Sequence, residues 1–197
     1  MPRSKKKRPR PTPPRASAPP RSSWWADAAR GKRPIVQFVG IFAVCMGLFY
    51  AFRTIAWFTD HVWLPYLRLN ASVSAFILRV FQEQANATDV SVFSPRFNLQ
   101  IAQGCDAIEP SALFAAAVIA FPAPLKRKLP GLAVGVAILV VLNLVRIISL
   151  YYTGVFWPEA FETMHVDVWQ PVFILAAMLL WIAWAIWATR RPRSNSP

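Results

Sequence analysis

Three residues of this chain have side chains suited to covalent chemistry on a carbonyl, and each lies in or beside a different apolar run: Cys105, Arg146 and His165. Cys105 stands just ahead of a run that begins at Ala107. Free backbone donors and the dipole at a helix start favour an anion there, and so favour a thiolate. Gly104 lets the chain turn or approach closely at that point. Arg146 falls inside an apolar run, where a charge is costly unless it meets a partner or water. Asn143 and Ser149, three residues away on either side, share its helical face, so a polar stripe should point into a bundle interior. His165 precedes the last apolar run in an acidic stretch, and an imidazole there can exchange a proton near neutral pH. A nucleophile, a cation for an oxyanion and an acid/base group together describe acyl transfer.

Each residue alone has an ordinary explanation. A single cysteine is readily a buried thiol, an intramembrane arginine can snorkel or pair with Glu109 to hold helices together, and a histidine can sit at any interface. A non-catalytic assembly protein is therefore one alternative, and a membrane thiol-redox protein is another. The redox reading lacks a resolving cysteine, because the only other cysteine, Cys45, falls midway along the first apolar run and packs there as a small hydrophobe. A channel or transporter fits less well, since polar groups inside the runs are few. Metal binding is disfavoured, as one Cys and one His with scattered carboxylates lack ligand spacing. His61 borders the first run without a matching polar feature and reads as structural.

The elements that position these residues follow from hydropathy and charge. Of the 197 residues, 55% are hydrophobic and 14% aromatic, more than an ordinary soluble domain carries. Lys and Arg number 22 against 9 Asp and Glu, a formal charge of +13. Eleven of the basic residues precede residue 35. The charge thus belongs to a proline-rich N-terminal tail, residues 1–34, which reads as disordered and cytoplasmic. No folded basic groove is implied, and nucleic acid is not expected as a partner. Residues 189–197 read as a second cytoplasmic tail.

A membrane-crossing helix needs about 20 mostly apolar residues. Four stretches are read as spans, 35–57, 107–125, 131–152 and 168–188, the second weakened by prolines at both ends. Pro110 marks a helix start, where its missing donor costs nothing. Lys and Arg flanking the spans stay cytoplasmic. The clusters Arg30/Lys32/Arg33, Lys126/Arg127/Lys128 and Arg190/Arg191/Arg193 then share the inner side, which four spans permit. The stretch 153–167 holds Glu159, Glu162 and Asp167 with no Lys or Arg, and 58–106 holds three arginines against four acids. Both face outward, and they bring the three reactive residues to one outer surface.

Interface anchoring explains Trp57, Trp63, Tyr151, Tyr152, Trp157 and Trp169 at the outer edges, and Trp184 and Trp187 at the inner end. Trp181, Trp184 and Trp187 form a helical stripe read as packing or anchoring. In the long outer loop, Leu67, Val73, Phe76, Ile77 and Val80 have helical spacing, as in an amphipathic helix packed on the bundle or lying on the membrane. Phe97, Leu99 and Ile101 alternate with polar residues, and with 90–93 and the Ser94-Pro95 turn they suggest a short β-hairpin leading toward Gly104-Cys105. The fold class expected is an all-α membrane protein, a four-transmembrane-helix bundle carrying that loop.

Gly104-Cys105 at the head of one span, the run Asn143-Leu144-Val145-Arg146-Ile147 in the next and His165 ahead of the last resemble the exosortase/archaeosortase family, closest to the small exosortase H type. The resemblance covers about residues 35–188. The family commonly carries Asn or Ser and then Gly after the cysteine, where Asp106 and Ala107 stand here. The resemblance implies a membrane-embedded cysteine peptidase or transpeptidase of the bacterial inner membrane, with both termini cytoplasmic and the active site facing the periplasm. Its substrates would be exported proteins bearing a C-terminal sorting signal of short motif, transmembrane helix and basic end. Cys105 would attack and hold a thioacyl intermediate, Arg146 would stabilise the oxyanion and His165 would protonate the leaving amine. Asn143, Glu109 and Gly104 would support the site, the partner besides substrate would be the lipid bilayer, and no cofactor is required.

Overall fold

A computed structural model describes residues 24–101 and 106–190. The chain is mostly helical: α1 (Trp24–Arg53), α2 (Ala56–Phe58), α3 (Leu64–Val80), α4 (Ile108–Ala120), α5 (Leu125–Phe156) and α6 (Trp169–Thr189). Three short strands, β1 (Asn86–Thr88), β2 (Ser91–Phe93) and β3 (Asn98–Gln100), lie between α3 and α4. Of the expected tails, 1–34 and 189–197, residues 1–23 and 191–197 lie outside the described residues, as do Gly104 and Cys105, while residues 24–34 belong to the helix α1 and not to a disordered segment.

Among the described residues, three helical segments are long and apolar enough to cross a membrane by themselves, Arg33–Arg53, Leu125–Phe156 and Thr163–Thr189. The second of the four expected spans is not one of them. There α4 has 13 residues, a length of about 20 Å, against a hydrocarbon core of about 30 Å. Proline is the cause. Phe121 turns extended, at φ −71° and ψ 136°, because the residue before Pro122 is pushed out of the helical region. Pro124 then serves as the N-cap of α5. Starting there, α5 takes in Lys126, Arg127 and Lys128 and runs for 32 residues, well beyond the expected 131–152. At the start of α4, Pro110 is the third helical residue, where its absent N–H has no helical partner to lose.

Those basic residues cap the neighbouring helices. Lys128 Nζ donates to the Ile119 carbonyl at 2.6 Å, and an Arg127 Nη donates to the Arg190 carbonyl at 2.9 Å. Both compensate orphan carbonyls at helix ends and complement the dipole. In return Trp184 Nε1 donates to the Arg127 carbonyl at 3.1 Å, which makes Trp184 a packed residue of the α4/α5/α6 core. Phe114, Val118, Leu139, Phe173 and Ala177 complete that core. Gly135 is needed for the close approach, since a Cβ there would lie 2.2 Å from the Phe114 ring.

A second core joins the long loop before α4 to the C-terminal half of α5 through Leu67, Ala71, Leu78, Val92, Leu99, Ile101, Ile147 and Leu150. The helix expected in the loop is α3, and the face it packs on the protein carries few of its bulky residues. Leu67, Asn70, Ala71, Ser74, Ala75 and Leu78 are buried, whereas Phe76 and Val80 are exposed. Small and polar side chains let α3 approach its neighbours closely, which bulk alone would prevent. Two π-helical turns, Thr59–Trp63 and Thr163–Val168, each precede a proline near a helix start, Pro65 and Pro171. A proline withdraws the donor that the carbonyl four residues earlier would use, so the widened turn falls where the α-helical ladder is already broken.

In place of a two-stranded hairpin the loop forms a three-stranded antiparallel sheet in the order β1-β2-β3. Val92 pairs with both Ala87 and Leu99, and Val92 and Leu99 fill the core while Asn98 and Gln100 face out. The sheet is tied to α5 by Tyr151, whose hydroxyl lies 2.7 Å from Ser94 Oγ and donates to Glu83 Oε2 at 3.2 Å. Arg96 completes this network with a 2.7 Å ion pair to Glu83 and its guanidinium 5.0 Å above the Phe156 ring. By contrast, no residue of α1 between 33 and 53 is buried.

Candidate active site

Arg146 lies on α5 and is 2% exposed. Its face of the helix is the polar stripe: Asn143 is fully buried and donates to Asn70 Oδ1 on α3 at 3.4 Å, and Ser149 donates to the Arg146 carbonyl at 2.8 Å. Burial of a charge among apolar helices is sustained only by compensating contacts. One comes from the turn that carries His165, whose carbonyl accepts from an Arg146 Nη at 3.4 Å. Another is the ring of Phe173 on α6, 5.5 Å below the guanidinium. Two of the three expected residues are therefore brought together by the packing of α5 against the start of the last helical segment.

His165 occupies the middle of the second π-turn. Its Nδ1 lies 3.9 Å from Glu162 Oε2, one turn earlier, and its ring rests against Phe161 at 6.0 Å between centroids. The side chain is partly open, so a proton can reach it. His61 sits in the other π-turn, with Nδ1 3.1 Å from the Trp57 carbonyl and its ring stacked on Trp57, which agrees with a structural role.

Gly104 and Cys105 lie outside the described residues, but the residue that follows them is held from three sides. Asp106 is 2% exposed. Its Oδ2 accepts from Trp63 Nε1 at 2.8 Å, its Oδ1 accepts from the Ile108 backbone N–H at 3.1 Å, and its carbonyl accepts from the Tyr66 hydroxyl at 2.8 Å. Burial pushes the Tyr66 hydroxyl up from its ordinary pKa, a hydrogen bond with Asn70 opposes this, and the nearby Asp106 charge adds to the rise. The phenol thus stays a donor at neutral pH. Ala107, the N-cap of α4, takes the left-handed conformation at φ 56° and ψ 9°. Such a turn favours glycine, and here the Asp106 carboxylate bonded to the Ile108 N–H closes it instead.

Glu109 does not pair with Arg146. Its carboxylate forms an ion pair with Arg53, the last residue of α1. Between these elements is a cavity of about 350 Å³ whose walls include Asp106, Glu109, Gln170 and Arg146, the last over the Phe173 ring, with Met46, Leu113 and Ile174 a turn along their helices. The arrangement presents a buried guanidinium to a partly polar cleft, with an imidazole on the adjoining turn. A cation so placed can stabilise negative charge developing on a carbonyl oxygen, and a histidine nearby can move a proton.

Sequence reasoning missed Trp63, Tyr66, Asn70 and Arg53. Their partners lie 40 or more residues away along the chain, a relation that periodicity cannot reveal. The signal available was the Asp106-Ala107 pair itself, an acid and a non-glycine where the turn wants glycine. The family model for transmembrane exosortases, EpsH type, matches residues 28–183. No curated protein and no solved structure matches the chain. That match takes in α4, α5, α6 as far as Ala183 and every residue of the candidate site, and the chain belongs to the transmembrane exosortase family.

Proposed function

We propose that this exosortase is a cysteine peptidase or transpeptidase that cleaves C-terminal sorting signals of exported proteins at the outer face of the inner membrane. The observation that carries the reading is the buried Arg146 at the wall of a cleft shared with Asp106, the residue next to Cys105, and in contact with the His165 turn. In this mechanism the Cys105 thiolate attacks the scissile carbonyl, forming a C–S bond as the carbonyl π pair moves to oxygen. Arg146 stabilises that oxyanion. Collapse expels the amine, which takes a proton from His165 and leaves a thioacyl enzyme. A second amine or a water then attacks the thioester, gives a proton to His165 and, as the C–S bond breaks, regenerates the thiolate. Asn143 and Glu109 support the site by holding α5 and α4 to their neighbours.

Four crossings put both termini in the cytoplasm and the site in the periplasm. The segment 108–124 supplies the short crossing: α4 contributes about 20 Å, and the non-helical stretch 121–124 carries the chain on to α5. Lys126, Arg127 and Lys128 then fall at the inner surface, as the charge rule requires. The assembly-protein alternative used Arg146 and Glu109 as mutual glue, and the Arg53 partner of Glu109 weakens it.

Cys105→Ala, Arg146→Ala and His165→Ala should each make an exported protein with an uncleaved C-terminal segment accumulate in the membrane fraction. Loss of one oxyanion donor typically lowers turnover about 100- to 1,000-fold. Normal processing by a stably inserted Cys105→Ala variant would sink the reading. An impermeant thiol reagent should label Cys105 in intact spheroplasts, and labelling only after lysis would reverse the topology.

A further inference from the structure

We propose that the cavity between α1, α4 and α6 is the slot for the part of the substrate where an apolar membrane helix gives way to the extended segment presented for cleavage, and that it loads sideways from the lipid. The inference rests on the cleavage reading and adds where the substrate's membrane segment binds. Its first support is the chemistry along the cavity. Met46, Leu113 and Ile174 form one part, a turn or more along their helices from Tyr50, Glu109 and Gln170, which sit with Arg146 and Asp106 at the other. A helix that ends in hydrocarbon leaves backbone donors and acceptors unpaired, at a cost of several kcal/mol for each group. The Gln170 carboxamide and the Glu109 carboxylate offer such groups partners, for which a lipid acyl chain has no use.

The second support is the loose attachment of α1. Between residues 33 and 53 none of its side chains is buried. Among the described residues its ion-pair and ring contacts with the rest of the fold are the Arg53–Glu109 pair and a tilted contact of Phe38 with Trp181 at 5.9 Å. The seam between α1 and α6 is thus the side of the site least costly to part, and the ion pair straps its outer end. Continuity with the catalytic cleft is direct, because Arg146 belongs to the cavity wall.

The test places a photoreactive benzoylphenylalanine at Ile174, in the slot, or at Val141 on α5, away from it, in the full-length Cys105→Ala protein in its native membrane. The two positions are equally exposed, at 60% each. Irradiation should give from position 174 a polypeptide adduct whose captured peptide lies at the start of a C-terminal apolar segment, in a protein that also accumulates when Cys105 is replaced. The yield from position 141 should be at least tenfold lower. Lipid adducts alone at 174, or equal capture at 141, would overturn the slot even where the substrate accumulates and the cleavage reading stands. Absence of any accumulating protein would overturn the cleavage reading and the assigned occupant with it. As a second measurement, Ile174→Trp should cut processing at least tenfold while Val141→Trp leaves it unchanged, and equal processing by both would refute the assignment.

Discussion

Replacing Asp106 by Asn tests whether the turn after the cysteine is held by a carboxylate that needs both oxygens. In the native protein Oδ2 receives the Trp63 indole N–H and Oδ1 receives the Ile108 N–H, with the residue almost wholly buried. Asparagine supplies one acceptor and one donor. However the amide is flipped, one of the two N–H groups meets an NH2. The loss is one hydrogen bond to a charged group, about 1.5–3 kcal/mol, together with about 1–3 kcal/mol for the donor left buried and unpaired. A total of about 2.5–6 kcal/mol lowers the unfolding midpoint by roughly 5–24 °C for a chain of this size. Thermal unfolding of the purified protein in one detergent, followed by loss of the monodisperse peak, reads this shift. Trp63→Phe removes one of the competing donors, so its effect in the Asp106→Asn background should be at least about 1 kcal/mol smaller than in the native background. A midpoint within about 1 °C of the parent for Asp106→Asn, or strict additivity with Trp63→Phe, would refute the clamp.

Two other substitutions probe the packing around the site. Gly135→Val should destabilise by about 1–3 kcal/mol through overpacking, because a Cβ there meets the Phe114 ring at 2.2 Å; an unchanged unfolding midpoint would contradict the close approach of α4 and α5. Glu109→Gln should cost at most about 1 kcal/mol, as the Arg53–Glu109 pair is partly solvent-exposed, and a Glu109→Arg, Arg53→Glu exchange should retain the stability of the parent when assayed by the same thermal method.

The residues with chemistry to offer were legible because a bilayer punishes charge. Arg146 stood out in an apolar run, and the prediction that its stripe turns inward agrees with the burial of Arg146 and Asn143. His165 was recognisable beside the last run, and its meeting with Arg146 follows from the packing of that segment on α5. Hydropathy was less informative at 107–125, where apolar composition resembled a span but Pro122 halted the helix at Ala120. The loop helix was legible in its period, while which face packs on the protein was not: Phe76 and Val80 stay exposed, and close packing selected Ala71, Ser74 and Ala75.

By itself the sequence determined the apolar segments, the tail charge, the family motifs and the presence of an arginine inside one apolar run and a histidine ahead of another, since all of these depend on local composition and the energetic cost of charge in lipid. Only the tertiary structure decided the partners: Arg53 for Glu109, Asn70 for Asn143, and Trp63 with Tyr66 for Asp106. Such contacts join elements far apart in the chain, and which donor reaches which acceptor is fixed by how helices cross and where a proline widens a turn. The same packing leaves α1 unburied and a cleft open beside Arg146, a consequence of shape that no periodicity encodes.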